Sequence, residues 1–280
     1  MSHISNSLIS QVSNGVSATT TNSISVFQNN IRSLLQINYD TFLQGSYAND
    51  TEIKDFNDVD IVALQRPLQG LLSSFGSSTN LFNDVKAKLE MNPNYRGRIT
   101  IGSKCLTLDI GTRKADIVPA RRMIGGQPNS FGEPIIIGQG IPNFPKTHLS
   151  NGQAKNKRTS NNYKHIVRML KNYVNNWNLK TVAPSFYVEC MIYSYNDVWF
   201  GSDLPTALSY ILTHMVGNSF NSNFVTVAGD KKVISQTEWK PQEFVSFRQD
   251  VATRLPRLNM AVNATNQINA NSYFKSFFNI

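Results

Sequence analysis

A chain of 280 residues, 40% hydrophobic and 16% charged, can bury a large core as one two-lobed unit or two small domains. Two distant cysteines and four histidines without paired spacing support neither a disulfide framework nor a zinc site, and no apolar run approaches the ~20 residues needed to cross a bilayer. The net charge of +9 is concentrated, because no acid falls between Pro134 and Val188, where eight cations lie; concentrated charge points to a polyanion docking surface, with a solvated basic face as the alternative.

Residues 1–22 are rich in Ser, Asn and Thr and are expected to be loose. They lack the basic start and continuous apolar stretch of a targeting segment, so a soluble cytoplasmic protein is expected. From Ile24 the spacing of Val26, Phe27, Ile31, Leu34 and Leu35 predicts a helix. Gly45-Ser46 follows the apolar pair Phe42-Leu43 and precedes Asp58 by a short spacer. Glycine lets the backbone turn tightly and approach a phosphate closely. The Ser46 hydroxyl and the amides opening the next helix can then bind that phosphate.

Asp58-Val59-Asp60-Ile61-Val62 alternates polar and apolar and reads as a strand. Positions i and i+2 of a strand share a face, so Asp58 and Asp60 aim at one point. Adjacent carboxylates repel unless a cation lies between them, and hard divalent ions prefer such oxygens. Two solvated acids on a surface strand remain the bland reading of this pair alone. A helix is expected over Leu81–Met91, then short strands over Arg98–Ile101, Cys105–Ile110 and Ala115–Val118. Asp116, on the last of these, is the candidate third carboxylate of a two-metal site, with Asp109 as its rival.

A loop-rich stretch carrying Gly125, Gly126, Pro128, Pro134, Gly138, Gly140, Pro142 and Pro145 sets the expected lobe boundary, giving residues 1–145 and 146–280. Helices are expected beyond it over about 160–178, 185–195, 204–217 and 241–255, with a short terminal helix around Tyr273–Phe278. On the first of these, Ile166, Val167, Leu170, Val174 and Trp177 share one arc. Lys164, Arg168 and Lys171 share another. No acid stands at i±3 or i±4 to pair with these cations, so the stripe is expected to face a ligand.

FLQGSYANDTEIKDFNDVDIVAL resembles the glycine-serine and paired-aspartate signature of the DNA polymerase β-like nucleotidyltransferases, and KADIVPA resembles their third catalytic strand. With NKRTSNNYKHIVRMLK, PSFYVECMIY and the closing ANSYFKSFFNI, the chain resembles the bacterial cGAS/DncV-like nucleotidyltransferases (CD-NTases) of anti-phage defence. The resemblance implies an α+β fold, with a bilobed polymerase β-like core, a mixed sheet with flanking helices, and a C-terminal helical lobe. It implies two magnesium ions, or manganese in their place, on Asp58, Asp60 and Asp116. It also implies nucleotide contacts from Gly45, Ser46, Lys164, Arg168, Lys171, Ser185 and Phe186. Lys171 ranks first among the cations, and core packing is the competing role for Phe186. The implied activity is template-independent synthesis of cyclic or linear oligonucleotide messengers from nucleoside triphosphates, which activate an effector protein. A nucleotidyltransferase acting on an RNA 3′ end or a protein is one alternative, and a non-catalytic nucleic-acid-binding module another. Nothing in the residues selects base, linkage or ring size.

Overall fold

The computed structural model describes residues 2–53, 58–66, 78–123, 132–137, 140–217 and 223–280. They form two compact units, one of residues 16–49 and 54–149, the other of residues 1–15, 50–53 and 150–280. Among the described residues no helix is long and apolar enough to cross a membrane. Gly125, Gly126, Pro128 and Gly138 of the loop-rich stretch, and the spacer residues 54–57, lie outside the described residues.

The first unit is a mixed sheet covered on one face by helices. Its elements run α2 (Ala18–Leu35), β1 (Tyr39–Gln44), α3 (Gly45–Ala48), β2 (Asp58–Gln65), α4 (Ser78–Leu89), β3 (Ile99–Ile101), β4 (Leu106–Asp109), β5 (Lys114–Arg122), β6 (Ile135–Ile137) and β7 (Ile141–Asn143). The helix α1 (Asn6–Ser13) precedes them and belongs to the other unit. Strand order is β1-β2-β5-β4-β3, with β6 on β5 and β7 on β6. Among the described strands of this sheet only β2 and β5 pair in parallel, in register from Asp58↔Lys114 to Leu64↔Ala120. A parallel pair needs a long connection, and α4 lies within it.

The alternation read in the sequence decides which face is covered. Val59, Ile61 and Ala63 of β2, Leu106 and Leu108 of β4, and Ala115 and Ile117 of β5 pack with Ile24, Phe27, Ile31 and Leu35 of α2 and with Leu81, Phe82, Val85 and Leu89 of α4. The intervening positions Asp58, Asp60, Thr107 and Asp116 therefore occupy the opposite face. Further along that face Val62, Leu64, Ala120 and Ile135 make a smaller apolar cluster.

The helical unit contains α1 and, from Ser150 onward, most of α5 (Pro145–Arg158). It continues with α6 (Asn162–Asn176), α7 (Ser185–Tyr193), α8 (Leu204–Val216), α9 (Pro241–Asn263) and α10 (Gln267–Phe278). Its core includes Leu170, Tyr173, Met191, Leu208, Trp239, Phe247 and Phe277.

Several expectations need correction. The N-terminus is not loose through residue 22. α1 buries Leu8 and Val12 in the helical core, and Ser17 caps α2 by accepting a hydrogen bond from the Thr20 N–H. Polar composition hid one apolar stripe and one cap. Nor does the division follow the 1–145 and 146–280 boundary. It falls between residues 149 and 150, inside α5, and residues 1–15 and 50–53 go with the helical unit because their side chains pack and pair there. Finally, β6 and β7 stand within the Pro- and Gly-bearing stretch, and α5 precedes the first helix expected beyond it. Two strands of three residues are too short to show a period, and α5 is mostly polar.

Candidate active site

The register of β2 and β5 sets Asp60 directly beside Asp116, on neighbouring strands that lie about 4.8 Å apart. Asp58 stands two residues before Asp60 on the same face and is exposed, while Asp60 and Asp116 are half-buried. The Thr107 hydroxyl on β4, also opposite Asp116, donates to its Oδ1 at 2.6 Å, which fixes the direction of that carboxylate. Thr107 carries no motif of its own, and only the register of β4 shows its part.

The rival acid takes another role. Asp109 Oδ1 accepts from the Gly111 N–H at 2.8 Å, and its Oδ2 pairs with Lys114 at 3.2 Å. These contacts, the Gly111 bond foremost, hold its carboxyl below the usual range. Asp109 therefore closes the β4–β5 turn, and Asp116 is the acid next to Asp60.

The other side of Asp60 is set by the turn into α3. Gly45 has φ +71°, and a Cβ built on it would stand 2.0 Å from Asp60 Oδ2. Only glycine tolerates both the left-handed backbone and this approach. Ser46 follows it within α3. Cys105, at the entry to β4, registers the same crowding of acids. Burial pushes its thiol up, and the charges of Asp116 and Asp60 push it further.

Whether this face suits a divalent ion can be judged from its donors. Among the described residues no three Asp, Glu, His or Cys side chains are gathered as a ready cage. Magnesium, however, is ordinarily held by one or two carboxylates together with waters and substrate phosphates, not by an all-protein cage. Two hard carboxylates in register, with a third two residues away on the same face, fit that demand.

The basic stripe on α6 differs from its expected state. Lys164, Arg168 and Lys171 are 9%, 5% and 5% exposed, and each has a partner. Lys171 Nζ donates to Thr51 O at 3.1 Å and to Thr51 Oγ1 at 2.9 Å, and pairs with Glu189 Oε2 at 3.1 Å. Arg168 donates to Ser13 O and to Asp50 O, each at 2.6 Å, and its guanidinium reaches Asp50 Oδ1 at 3.3 Å. Burial pulls Arg168 down, opposed by the Asp50 and Glu52 charges. Lys164 Nζ lies 3.4 Å from Asp50 Oδ2. No partner stands at i±3 or i±4 because the acids come from residues 50–53 and from α7.

The same holds elsewhere in the acid-free segment. Lys155 Nζ meets Asp197 Oδ1 at 2.7 Å and Tyr195 O at 2.6 Å, with the Phe200 ring 4.9 Å away. Arg158 meets Asp197 Oδ2 at 2.6 Å. The segment is thus in good part a set of internal ion pairs, not an open docking face.

Ser185 opens α7 and is half-buried. Phe186 is 44% exposed, so core packing does not explain it. Its ring meets Tyr187 edge-on at 5.4 Å, and Tyr187 in turn stacks on Trp239.

Comparison with known proteins adds the family. Residues 150–255 match the cGAS/DncV-like nucleotidyltransferase C-terminal helical domain. The chain is 30% identical over 238 residues to the cyclic UMP-AMP synthase of Rhodothermus marinus (strain SG0.5JP17-172), covering 73% of this chain and 81% of that protein. It is 29% identical over 183 residues to the cyclic dipyrimidine nucleotide synthase CdnE of Legionella pneumophila, covering 55% and 62%. Among solved structures, the CdnE cyclic dinucleotide synthase of Elizabethkingia meningoseptica with GTP and Apcpp superposes with a TM-score of 0.72 at 24% identity, covering 90% of this chain and 99% of that one.

Proposed function

The chain belongs to the bacterial cGAS/DncV-like nucleotidyltransferases, and on that footing we propose that it joins nucleoside triphosphates into cyclic oligonucleotides without a template. The observation that supports this chemistry is the pairing of Asp60 with Asp116 in register, with Gly45 against Asp60. Relatives that make cyclic nucleotides supply the product class.

In this reading Asp58, Asp60 and Asp116 hold magnesium, or manganese in its place. The bound ions would lower the pKa of the attacking hydroxyl and offset the charge that builds on the leaving pyrophosphate. Thr107 holds the Asp116 carboxylate in one orientation, so its oxygens need not reorganise during reaction. Gly45 lets the backbone come close, and the Ser46 hydroxyl donates to a phosphate oxygen. The 3′- or 2′-hydroxyl oxygen bonds to the α-phosphorus of the donor as the Pα–O bond to pyrophosphate breaks. A second such step within the linear product closes the ring.

On the helical unit, Lys164 and Arg168 are the cations proposed to bind triphosphate oxygens. Both meet the Asp50 carboxylate, whose side chain is 64% exposed, so a triphosphate oxygen can compete for them from that side, while the Ser13 and Asp50 carbonyls keep the Arg168 guanidinium in place. Lys171, expected to lead, is assigned to holding Thr51 and Glu189, because its ammonium is sealed among them. Ser185 donates to phosphate and Phe186 offers a ring to a base. The product would act on an effector protein, as the resemblance implies.

The test is to incubate the purified chain with the four common triphosphates and magnesium, with no template or acceptor. Mass spectrometry is expected to find a phosphatase-resistant species lacking terminal phosphates. Transfer of label only to added RNA or to protein would overturn the reading.

A further inference from the structure

A groove of about 610 Å³ lies on the sheet-bearing unit, lined by α2, the 92–98 segment and the β4–β5 turn. Strand alternation decides its side. Phe27 and Tyr95, which line it, belong to the core on the α2 face of the sheet, whereas Asp58, Asp60 and Asp116 occupy the other face. The guanidinium of Arg113 bonds the Ser23 hydroxyl on α2, which anchors it to the same side. Whatever occupies this groove is therefore not the reacting nucleotide.

The lining is unusual in its charge. Arg98 and Arg113 both contribute, and none of the described residues lining it is acidic. Asp109, at the β4–β5 turn, pairs with Lys114 and the Gly111 amide, with the Arg98 charge a lesser influence on it. Arg98 is exposed. In Arg113, Nη1 is buried with no hydrogen-bond partner. Sealed from water, that nitrogen is out of a groove ligand's reach, so what Arg113 offers there is its positive charge. Two guanidinium charges lining one groove suit a tetrahedral oxyanion, which can accept hydrogen bonds from the exposed Arg98 fork and is drawn by the charge of Arg113. Beside them lie the carboxamide of Asn30 and the apolar side chains of Val26, 64% exposed, and Ile110. The volume falls within the usual range for small-ligand sites, roughly 300–1,000 Å³.

We propose that this groove is a binding site for a small phosphate ester of nucleotide size. Arg98 and Arg113 take its phosphate, and the Asn30, Val26 and Ile110 side carries its body. The ligand is an effector, not a substrate. The proposal stands apart from the reaction proposed above, since it uses residues of the opposite face and its test reads binding, not turnover.

Adenosine 5′-monophosphate and inorganic phosphate are titrated calorimetrically into the full chain with EDTA present, so that the bare acids of the other face repel anions. Saturable binding is expected, with the monophosphate tighter than phosphate. Arg98→Ala and Arg113→Gln are each expected to weaken it about 10-fold or more. Arg66→Gln, which removes an exposed guanidinium elsewhere on the same unit, should leave it within about 2-fold. Arg98 is exposed and its loss spares the core, so that variant keeps the test decisive if Arg113→Gln unfolds. Absence of saturable binding up to about 10 mM, equal binding by the Arg98→Ala variant, or binding only of long RNA would each overturn the proposal.

Discussion

Lys171 and Glu189 are both nearly sealed from water, at 4% side-chain exposure each, and such a pair behaves asymmetrically under mutation. Removing one partner strands the other charge, a loss of about 3–5 kcal/mol, whereas replacing both with apolar groups of similar size is often nearly neutral. Lys171→Met alone should therefore destabilise the helical unit by that amount in denaturant unfolding. Lys171→Met combined with Glu189→Leu should recover most of it. If Lys171 serves Thr51 and Glu189, the double variant keeps its KM for triphosphates within a few-fold. A KM raised 100-fold in a stable double variant would return Lys171 to the phosphates. The sequence showed the cations on one helical arc, and that arc exists. Their partners could not be read, since Asp50 and Thr51 stand more than a hundred residues away.

Among the elements, the turn from β1 into α3 is the least tolerant of change. Gly45→Ala would place a methyl group against Asp60 Oδ2 and force a left-handed backbone on a residue with a Cβ. The backbone term alone costs roughly 1–2 kcal/mol. The expected result is a modest fall in Tm with near-complete loss of product, measured on the same preparation. A fully active Gly45→Ala enzyme would show that the approach of Gly45 to Asp60 is not used. This turn was legible because glycine, serine and two spaced aspartates form a local pattern. The strands β2 and β5 were legible from alternation, and their parallel register then follows from the crossover between them. β1, β6 and β7 were not read. β1 is only partly buried along most of its length, and the other two are three residues long, so none shows a clear two-residue period.

For the whole molecule, the assignment of residues 1–15 to the helical unit has a measurable consequence. Leu8 is 9% exposed within that unit's core. Leu8→Ala should cost about 2 kcal/mol, the low end for a buried leucine at a core margin, lowering the unfolding temperature of the helical unit by about 4–8 °C. An unchanged Tm would mean that α1 contributes nothing to the unit. The α+β class was legible from motifs carried on strands before residue 120 and helical periods after residue 160. The membership of residues 1–15 and 50–53 in the second unit was not, because it rests on long-range packing and pairing.

The claim on which the rest turns is that Asp58, Asp60 and Asp116 jointly hold the ions for nucleotidyl transfer. It is tested most directly by quantifying the product made with magnesium by the wild type, Asp60→Asn, Asp116→Asn and Asp109→Asn, each first shown to be folded by thermal unfolding. Loss of a metal-binding carboxylate removes several kcal/mol of transition-state stabilisation, so Asp60→Asn and Asp116→Asn should fall by roughly 100-fold or more, while Asp109→Asn stays near the wild type. A folded Asp116→Asn variant that turns over like the wild type would contradict the account.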